Sequence, residues 1–312
     1  VSCSGMVTHP STPPPQAQHL IYIINHAEDE VVLFDTTFAP LVKGIAAHCP
    51  KVRAWVCLSD GDNTVAVDGV ANVLCYEDLI SAHDDRFDWP DFDERTGAAL
   101  CYTSGTTGHP KGVLYSHRAI VINALSGCLP GVMSLSPKDT VLPVVPMFHI
   151  NAWCIPYGAP IAGTRLVLPG PRLDGASLYE LMEAERVTVS AGVPIIWLGL
   201  LQHVQQHGLR FSTMQRTTVG GSAMPAALIA SWNPPWSATG VPLHIEAFSP
   251  GENNVAPPVP PIANSLTTLA DSVDLSDSFV VYRSESCTPV TGKPGNIGSR
   301  PLVVSGVERM WL

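Results

Sequence analysis

The chain has no CxxC pair among its eight cysteines and no apolar run of membrane-spanning length, and it sets only 17 Lys and Arg against 27 Asp and Glu. A net charge of −10 excludes a surface that wraps nucleic-acid phosphates, because such binding draws its affinity from clustered basic residues. A local anion site stays compatible with it. Cysteines scattered through apolar runs such as Ala99-Leu100-Cys101-Tyr102 exclude a paired-thiolate metal site and read as reduced core thiols of a cytosol-like compartment. A membrane helix needs about 18 uninterrupted apolar residues, and Val1 to Pro15 is Ser/Pro-rich where a signal peptide would be apolar. A soluble, cytoplasmic protein is therefore expected. No repeat of solenoid type is visible.

With 312 residues and 46% hydrophobic content, the chain can bury a sizeable core. From Gln18 the pattern alternates. Gln18 to Asp29 predicts a helix, Glu30 to Asp35 a buried strand, Phe38 to His48 a helix and Val52 to Leu58 a strand. After an acidic surface connection, Asp84 to Glu94, come a strand at Ala98 to Tyr102 and another at Val113 to Tyr115. Helix-like and strand-like pieces are expected to continue through Ser177 to Arg186, Val187 to Ala191, Ile195 to His207, Thr217 to Val219 and Pro225 to Trp232. This is the rhythm of an α/β layered protein. Beyond Trp232 the composition turns Pro/Ser-rich, which buries little apolar surface. Three segments result: 1–17, a core over 18–232, and a poorly ordered tail over 233–312.

The segment richest in chemistry is Tyr102-Thr103-Ser104-Gly105-Thr106-Thr107-Gly108-His109-Pro110-Lys111-Gly112-Val113, set between two short apolar strands. Glycine lets backbone approach a polyanion, hydroxyls donate hydrogen bonds and Lys111 supplies charge, which together suit a triphosphate. Read by composition alone it is also an ordinary Gly/Ser/Thr surface turn. In a Walker A loop the Lys is followed by a Mg²⁺-binding Ser or Thr. Here Gly112 follows it.

The order of these residues resembles the signature loop of the adenylate-forming superfamily of acyl-CoA ligases, luciferases and peptide-synthetase adenylation domains. The resemblance extends to Phe92-Asp93-Glu94-Arg95-Thr96, to Pro146-Met147-Phe148-His149-Ile150-Asn151-Ala152-Trp153, and to Leu168-Pro169-Gly170-Pro171-Arg172-Leu173-Asp174. Ala191-Gly192-Val193-Pro194 and Val219-Gly220-Gly221-Ser222-Ala223 follow in the same order, and the fatty acyl-CoA ligase branch fits best. It implies an α/β fold with layered, mostly parallel sheets, the large domain of such enzymes without the small carboxy-terminal domain. It also implies activation of a medium- or long-chain fatty acid, or an alkylthio acid, with ATP, Mg²⁺ and CoA.

By that resemblance Thr103, Ser104, Gly105, Thr106, Thr107, Gly108 and Lys111 hold the β- and γ-phosphates, with Thr106, Lys111 and His149 as catalytic residues. His149 lies where carboxylate and α-phosphate meet, Trp153 near the acyl entrance, and Gly192, Val193 and Pro194 with Ile195, Ile196 and Trp197 wall the acyl site. Gly220, Gly221, Ser222 and Ala223 lie along the adenine, and Glu252 ligates Mg²⁺. Around Glu252 the family's aromatic-Gly-x-Thr-Glu pattern is broken by Ser249 and Gly251. Read without the resemblance, His149 is a hydrogen-bonded core histidine, and the glycine segments are plain strand-to-helix turns. His203 and His207, four apart on a helix, read as an exposed face and not a metal pair.

The family's ribose-binding Asp context, hinge and second catalytic Lys are not found in the tail, which suggests a shifted reading frame or an incomplete gene. Two rival readings remain: a noncatalytic nucleotide- or acyl-binding remnant, and a phosphotransferase, which Gly112 after Lys111 disfavours. Self-association is left open, and uncovered apolar faces predict aggregation or partner-dependent folding.

Overall fold

A computed structural model describes residues 2–11, 17–59, 66–84, 86–103 and 109–222, together with the backbone of the strand His244–Ala247. The element expected at Pro225 to Trp232, the tail 233–312 apart from the strand His244–Ala247, and the site residues Ser104, Gly105, Thr106, Thr107, Gly108, Ala223 and Glu252 lie outside the described residues.

Helix α1 (Ala17–Ala27) forms because Leu20, Ile23 and Ile24 share one face and are buried. It ends at Glu28, whose φ of 60° turns the chain so that the Asp29 N–H donates to Ile24 O. Strands β1 (Val31–Asp35), β2 (Ala54–Leu58) and β3 (Val73–Cys75) pair in parallel, in that order. Helix α2 (Ala39–Ile45), with Val42 and Ile45 buried, covers them, and a short helix α3 (Tyr76–Ser81) follows. The helix expected at Phe38 to His48 is real, but it is flanked at both ends by 3₁₀ turns. The expectation of a buried β1 is corrected: Phe34 is buried, whereas Val31 is 46% exposed, because β1 is the edge of its sheet and only one side of it is covered. Between β1, α1, α2 and the stretch Met6 to Ser11 lies a largely apolar cavity of about 570 Å³.

Strands β4 (Gly97–Thr103) and β5 (Lys111–Ser116) form an antiparallel pair, and Thr8 bonds to the other edge of β4 through Ala98 O and the Leu100 N–H. Helix α4 (His117–Cys128) starts at Ser116, whose hydroxyl accepts from the Ala119 N–H. The Arg118 guanidinium is paired with Glu94 in a half-enclosed setting, which ties α4 to the chain leading into β4.

The larger sheet contains β6 (Thr140–Val144), β7 (Arg165–Leu166), β8 (Val189–Gly192), β9 (Arg216–Val219) and β10 (His244–Ala247), all parallel in the order β10-β9-β8-β6-β7. Four helical segments connect these strands: α5 (Ile150–Trp153), α6 (Ile155–Ala162), α7 (Gly175–Ala184) and α8 (Pro194–Gln206). On one side of the sheet, Leu178, Met182, Trp197, Leu200, Val204 and Phe211 form a core, and α7 and α8 cross closely where a Cβ on Gly175 would come within 2.5 Å of Gly199 O. Asp174 caps α7 by accepting from the Ser177 N–H at 3.0 Å. At the amino-terminal edge Asp139 ties three strands together. It accepts from Ser136, from the Thr188 hydroxyl at 2.9 Å and from Arg216 at 2.7 Å.

No disulfide is formed by the described cysteines, as the sequence suggests. Burial pushes the thiols of Cys101 and Cys128 up, and that of Cys154 to about 12, which disfavours the reactive thiolate. Among the described residues no helix is long and apolar enough to cross a membrane.

Candidate functional site

The carboxyl ends of β6, β8 and β9 are level with each other. Val144 pairs with Gly192 and Gly192 with Val219, so the segments that follow these three strands emerge side by side. In open parallel sheets this edge is where ligands bind. Three stretches singled out by sequence, Pro146 to Trp153, Gly192 to Pro194 and Gly220 to Ser222, are brought together here by strand order alone.

Contacts confirm the convergence. The Gly220 N–H donates to Gly192 O at 3.3 Å, and a Cβ on Gly220 would stand 2.8 Å from Cη2 of Trp153. Gly221 adopts φ 82° and faces Val193, whose Cγ1 would lie 3.1 Å from an added Cβ. Both glycines are thus required, one for close approach and one for its backbone conformation. Val193 precedes α8, and Pro194 occupies its first turn. Ser222 and His149 are exposed, so His149 is not the enclosed core histidine that its apolar neighbours suggest.

The expectation that Ile195, Ile196 and Trp197 together wall an acyl site needs correction. Ile195 is 69% exposed, but Trp197 is fully buried beneath Gly192, where an added Cβ would meet its ring at 3.1 Å. Consecutive residues of a helix point about 100° apart, so the three cannot share one face.

Between β6 and α6 the chain takes a course the sequence does not announce. Ile150, Asn151, Ala152, Trp153 and Cys154 have φ between 44° and 57°, and the Cys154 N–H donates to Ile150 O at 3.0 Å. This is one turn of left-handed helix, at a cost of about 1–2 kcal/mol per residue. Burial of Asn151, Ala152 and Cys154 offsets it. Ile150 and Cys154 pack with Ala98 and Ala99 of β4, and the Cys101 thiol lies 3.9 Å from Asn151 Oδ1. The left-handed turn therefore touches the β4–β5 pair on one side and delivers Trp153 to Gly220 on the other.

In the β4–β5 pair Thr103 stands opposite Lys111, and Tyr102 opposite Gly112. Lys111 belongs to the strand, which starts two residues earlier than the expected Val113, and its side chain is exposed. A Cβ on Gly112 would lie 3.1 Å from the Tyr102 ring. Burial first, then the Asp29 charge, pushes the Tyr102 phenol up to about 12, so it stays protonated. Thr103 and Lys111 are thereby placed on a different sheet from Gly192, Gly220 and Gly221. Tyr22 and His26, which touch the residues around Thr103 and Lys111, are absent from the set expected from sequence; their spacing of four on α1 is the one signal that could have marked them.

Among the described residues no group of three or more His, Cys, Asp or Glu side chains could hold a metal ion. His203 and His207 lie ring against ring at 4.4 Å; His207 is exposed, as expected of that face, but His203 is half-buried on the side of α8 that meets Gly175 and Tyr179 of α7.

A parallel α/β sheet with glycines at its strand ends and a hydroxyl-rich connection in a neighbouring hairpin defines the large-domain fold of adenylate-forming enzymes. The chain belongs to the AMP-binding enzyme family, whose profile matches residues 1–244. It is 45% identical over 293 residues to a medium-chain-fatty-acid–CoA ligase of Ectopseudomonas oleovorans, covering 94% of this chain and 52% of that one. It is also 45% identical over 231 residues to a 3-methylmercaptopropionyl-CoA ligase of Ruegeria lacuscaerulensis, covering 74% and 43%. The inhibitor-bound N-terminal domain of FACL13 from Mycobacterium tuberculosis superposes with a TM-score of 0.60 at 24% identity, over 77% of this chain and 55% of that one. The chain spans about half the length of the curated relatives it matches.

Proposed function

We propose that this chain is the large-domain part of an acid:CoA ligase that activates a medium- or long-chain fatty acid, or an alkylthio acid. The observation that carries the reading is the level alignment of Val144, Gly192 and Val219, which brings Trp153, Val193 and the Gly220-Gly221 pair together. The relatives are named for fatty and methylmercapto acids, and the side chains packed against Gly220 and Gly221, Trp153 and Val193, are apolar.

In the first step a carboxylate oxygen attacks the α-phosphorus of ATP, and the bond to the β-phosphate oxygen breaks, giving acyl-adenylate and pyrophosphate. In the second, the CoA sulfur attacks the acyl carbon, the thiol gives up its proton, and AMP departs. Both steps build negative charge, so positioning and electrostatics do the work without a protein nucleophile. Thr103, with Ser104 to Gly108 and Lys111, would hold the β- and γ-phosphates. His149 would face the reacting carboxylate, Trp153 with Gly192 to Pro194 the acyl group, and Gly220 to Ala223 the adenine. Mg²⁺ would neutralise charge on the departing pyrophosphate. Apart from the phosphates, the donor assigned to it is Glu252, and the described residues add no cluster of their own. The core of this activity is assigned to 18–232.

Acid-dependent pyrophosphate release from ATP, measured over a panel of straight-chain and alkylthio acids, tests the reading. Release is expected to fall about a hundredfold in Lys111→Ala and in His149→Ala. Binding of ATP without release by folded protein would reduce the chain to a nucleotide-binding module, and equal release by all three proteins would overturn the assignment of both residues.

A further inference from the structure

Helix α1 carries Tyr22 and His26 one turn apart, and both face the β4–β5 pair. His26 Nδ1 is 2.6 Å from the Tyr102 hydroxyl, and the Tyr22 ring stacks on His109 with centroids 4.7 Å apart and planes inclined by 26°. Tyr22 and His26 also stack on each other at 5.3 Å. Tyr102 is the residue before Thr103, and His109 stands two before Lys111. One helix face thus grips one residue on each side of the paired Thr103 and Lys111. On the far side of Tyr102, His9 approaches its ring at 5.1 Å and is itself held by Asp29 at 2.9 Å.

The hydrophobic core does not account for this arrangement. His26 and His109 are exposed, and α1 is already anchored through Leu20, Ile23 and Ile24 on its opposite face. A stacked pair and a short hydrogen bond each order side chains that folding leaves at the surface, and each offsets rotamer entropy only modestly. Their shared property is where they hold the chain. They fix Tyr102 and His109, and through the backbone they fix the direction in which Thr103 and Lys111 leave the sheet.

We infer that Tyr22 and His26 are positioning residues for phosphate binding: α1 holds the end of β4 through Tyr102 and the segment entering β5 through His109, and so sets the affinity of Thr103 and Lys111 for a triphosphate. The inference rests on the phosphate-binding reading of this hairpin. Its signature is selective, because loosening the clamp weakens ligands that carry β- and γ-phosphates and leaves AMP, which lacks both, bound as before.

The test is calorimetric titration of the full chain with ATP, tripolyphosphate and AMP, using Tyr22→Leu, Tyr22→Phe, His26→Leu, Tyr102→Phe, the double variant His26→Leu/Tyr102→Phe, and Lys111→Ala. Tyr22→Leu, His26→Leu and Tyr102→Phe are expected to weaken ATP and tripolyphosphate by about three- to tenfold with AMP unchanged. Tyr22→Phe keeps the stack and should bind normally. The double variant should bind no more weakly than His26→Leu alone, because both changes remove one hydrogen bond. If the Leu variants fail to fold, the volume-preserving Tyr102→Phe decides. Equal weakening of ATP and AMP would make the clamp merely structural and overturn the inference, as would unaltered ATP binding in the clamp variants when Lys111→Ala binds poorly. In that second case the phosphate reading survives. If Lys111→Ala binds ATP like the unsubstituted chain, or the unsubstituted chain binds no ATP, the phosphate reading itself fails and the inference falls with it.

Discussion

Trp153 occupies the volume in which a side chain at residue 220 would begin, with its Cη2 2.8 Å from a Cβ built on Gly220. Real Cβ atoms do not approach so closely, and the indole is held by a turn whose Ala152 and Cys154 are buried, so it cannot slide aside freely. Gly220→Ala is expected to destabilise by about 1–3 kcal/mol through overpacking. Adding Trp153→Ala removes the clash, so the double variant should cost clearly less than the sum of the single ones. Denaturant melts of the four proteins check this, and simple additivity would mean that the two residues do not compete for space.

The strand-tying carboxylate gives a pH dependence of defined sign. Burial by itself pushes the Asp139 carboxyl up, but hydrogen bonds from Ser136, Arg216 and Thr188 together, with the Arg216 charge, hold it below its ordinary value of 3.8. A group whose folded pKa is depressed contributes stability that is complete above its unfolded pKa and is lost as pH falls through the folded one. Stability of the unsubstituted chain should therefore decline as pH drops below about 4, and Asp139→Asn, though less stable at neutral pH, should show a shallower decline. Thermal midpoints measured from pH 7 to pH 3 would reveal parallel curves if Asp139 were not responsible.

Left-handed backbone at Ala152 reverses the usual effect of glycine. In an ordinary helix Ala→Gly costs about 1 kcal/mol. At φ 51° the substitution releases about 1–2 kcal/mol of backbone strain and forfeits about 0.8 kcal/mol for one buried methyl. Ala152→Gly should thus be near neutral or slightly stabilising, whereas Ala152→Val, β-branched and buried, should be strongly destabilising. A loss of 1 kcal/mol or more in Ala152→Gly, read from urea unfolding, would show that the turn is not strained.

The local rules succeeded where one face of an element meets the core. Leu20, Ile23 and Ile24 mark α1, and the β-then-α spacing from Val187 to His207 announces a parallel sheet. They failed where position in the fold decides. Val31 is as apolar as any core strand residue, yet it lies on an edge, and Trp197 points inward although its neighbour Ile195 points out. Nothing in Ile150-Asn151-Ala152-Trp153-Cys154 marks a left-handed turn beyond the tolerance of Asn for that region, because the compensating burial comes from β4, far away in sequence. The glycine segments were legible as a set of motifs, but their convergence follows from the strand order β9-β8-β6, a long-range property that no single segment encodes. The partnership of Tyr22 and His26 with Tyr102 and His109 was hidden for the same reason.

Because Thr103 stands directly across from Lys111, the two ends that the stretch 104–110 must join are one strand spacing, about 4.8 Å, apart. Its length is therefore part of its chemistry. Side chains alternate between the two faces of a strand, and a slip of one residue turns each of them to the opposite side. A single-codon insertion or deletion in this stretch must either be absorbed before residue 111 or send the lysine to the wrong face of β5. Substitutions among its hydroxyl and glycine positions leave that count intact, so tolerance to genetic change here should divide sharply between exchanges of residue and changes of number.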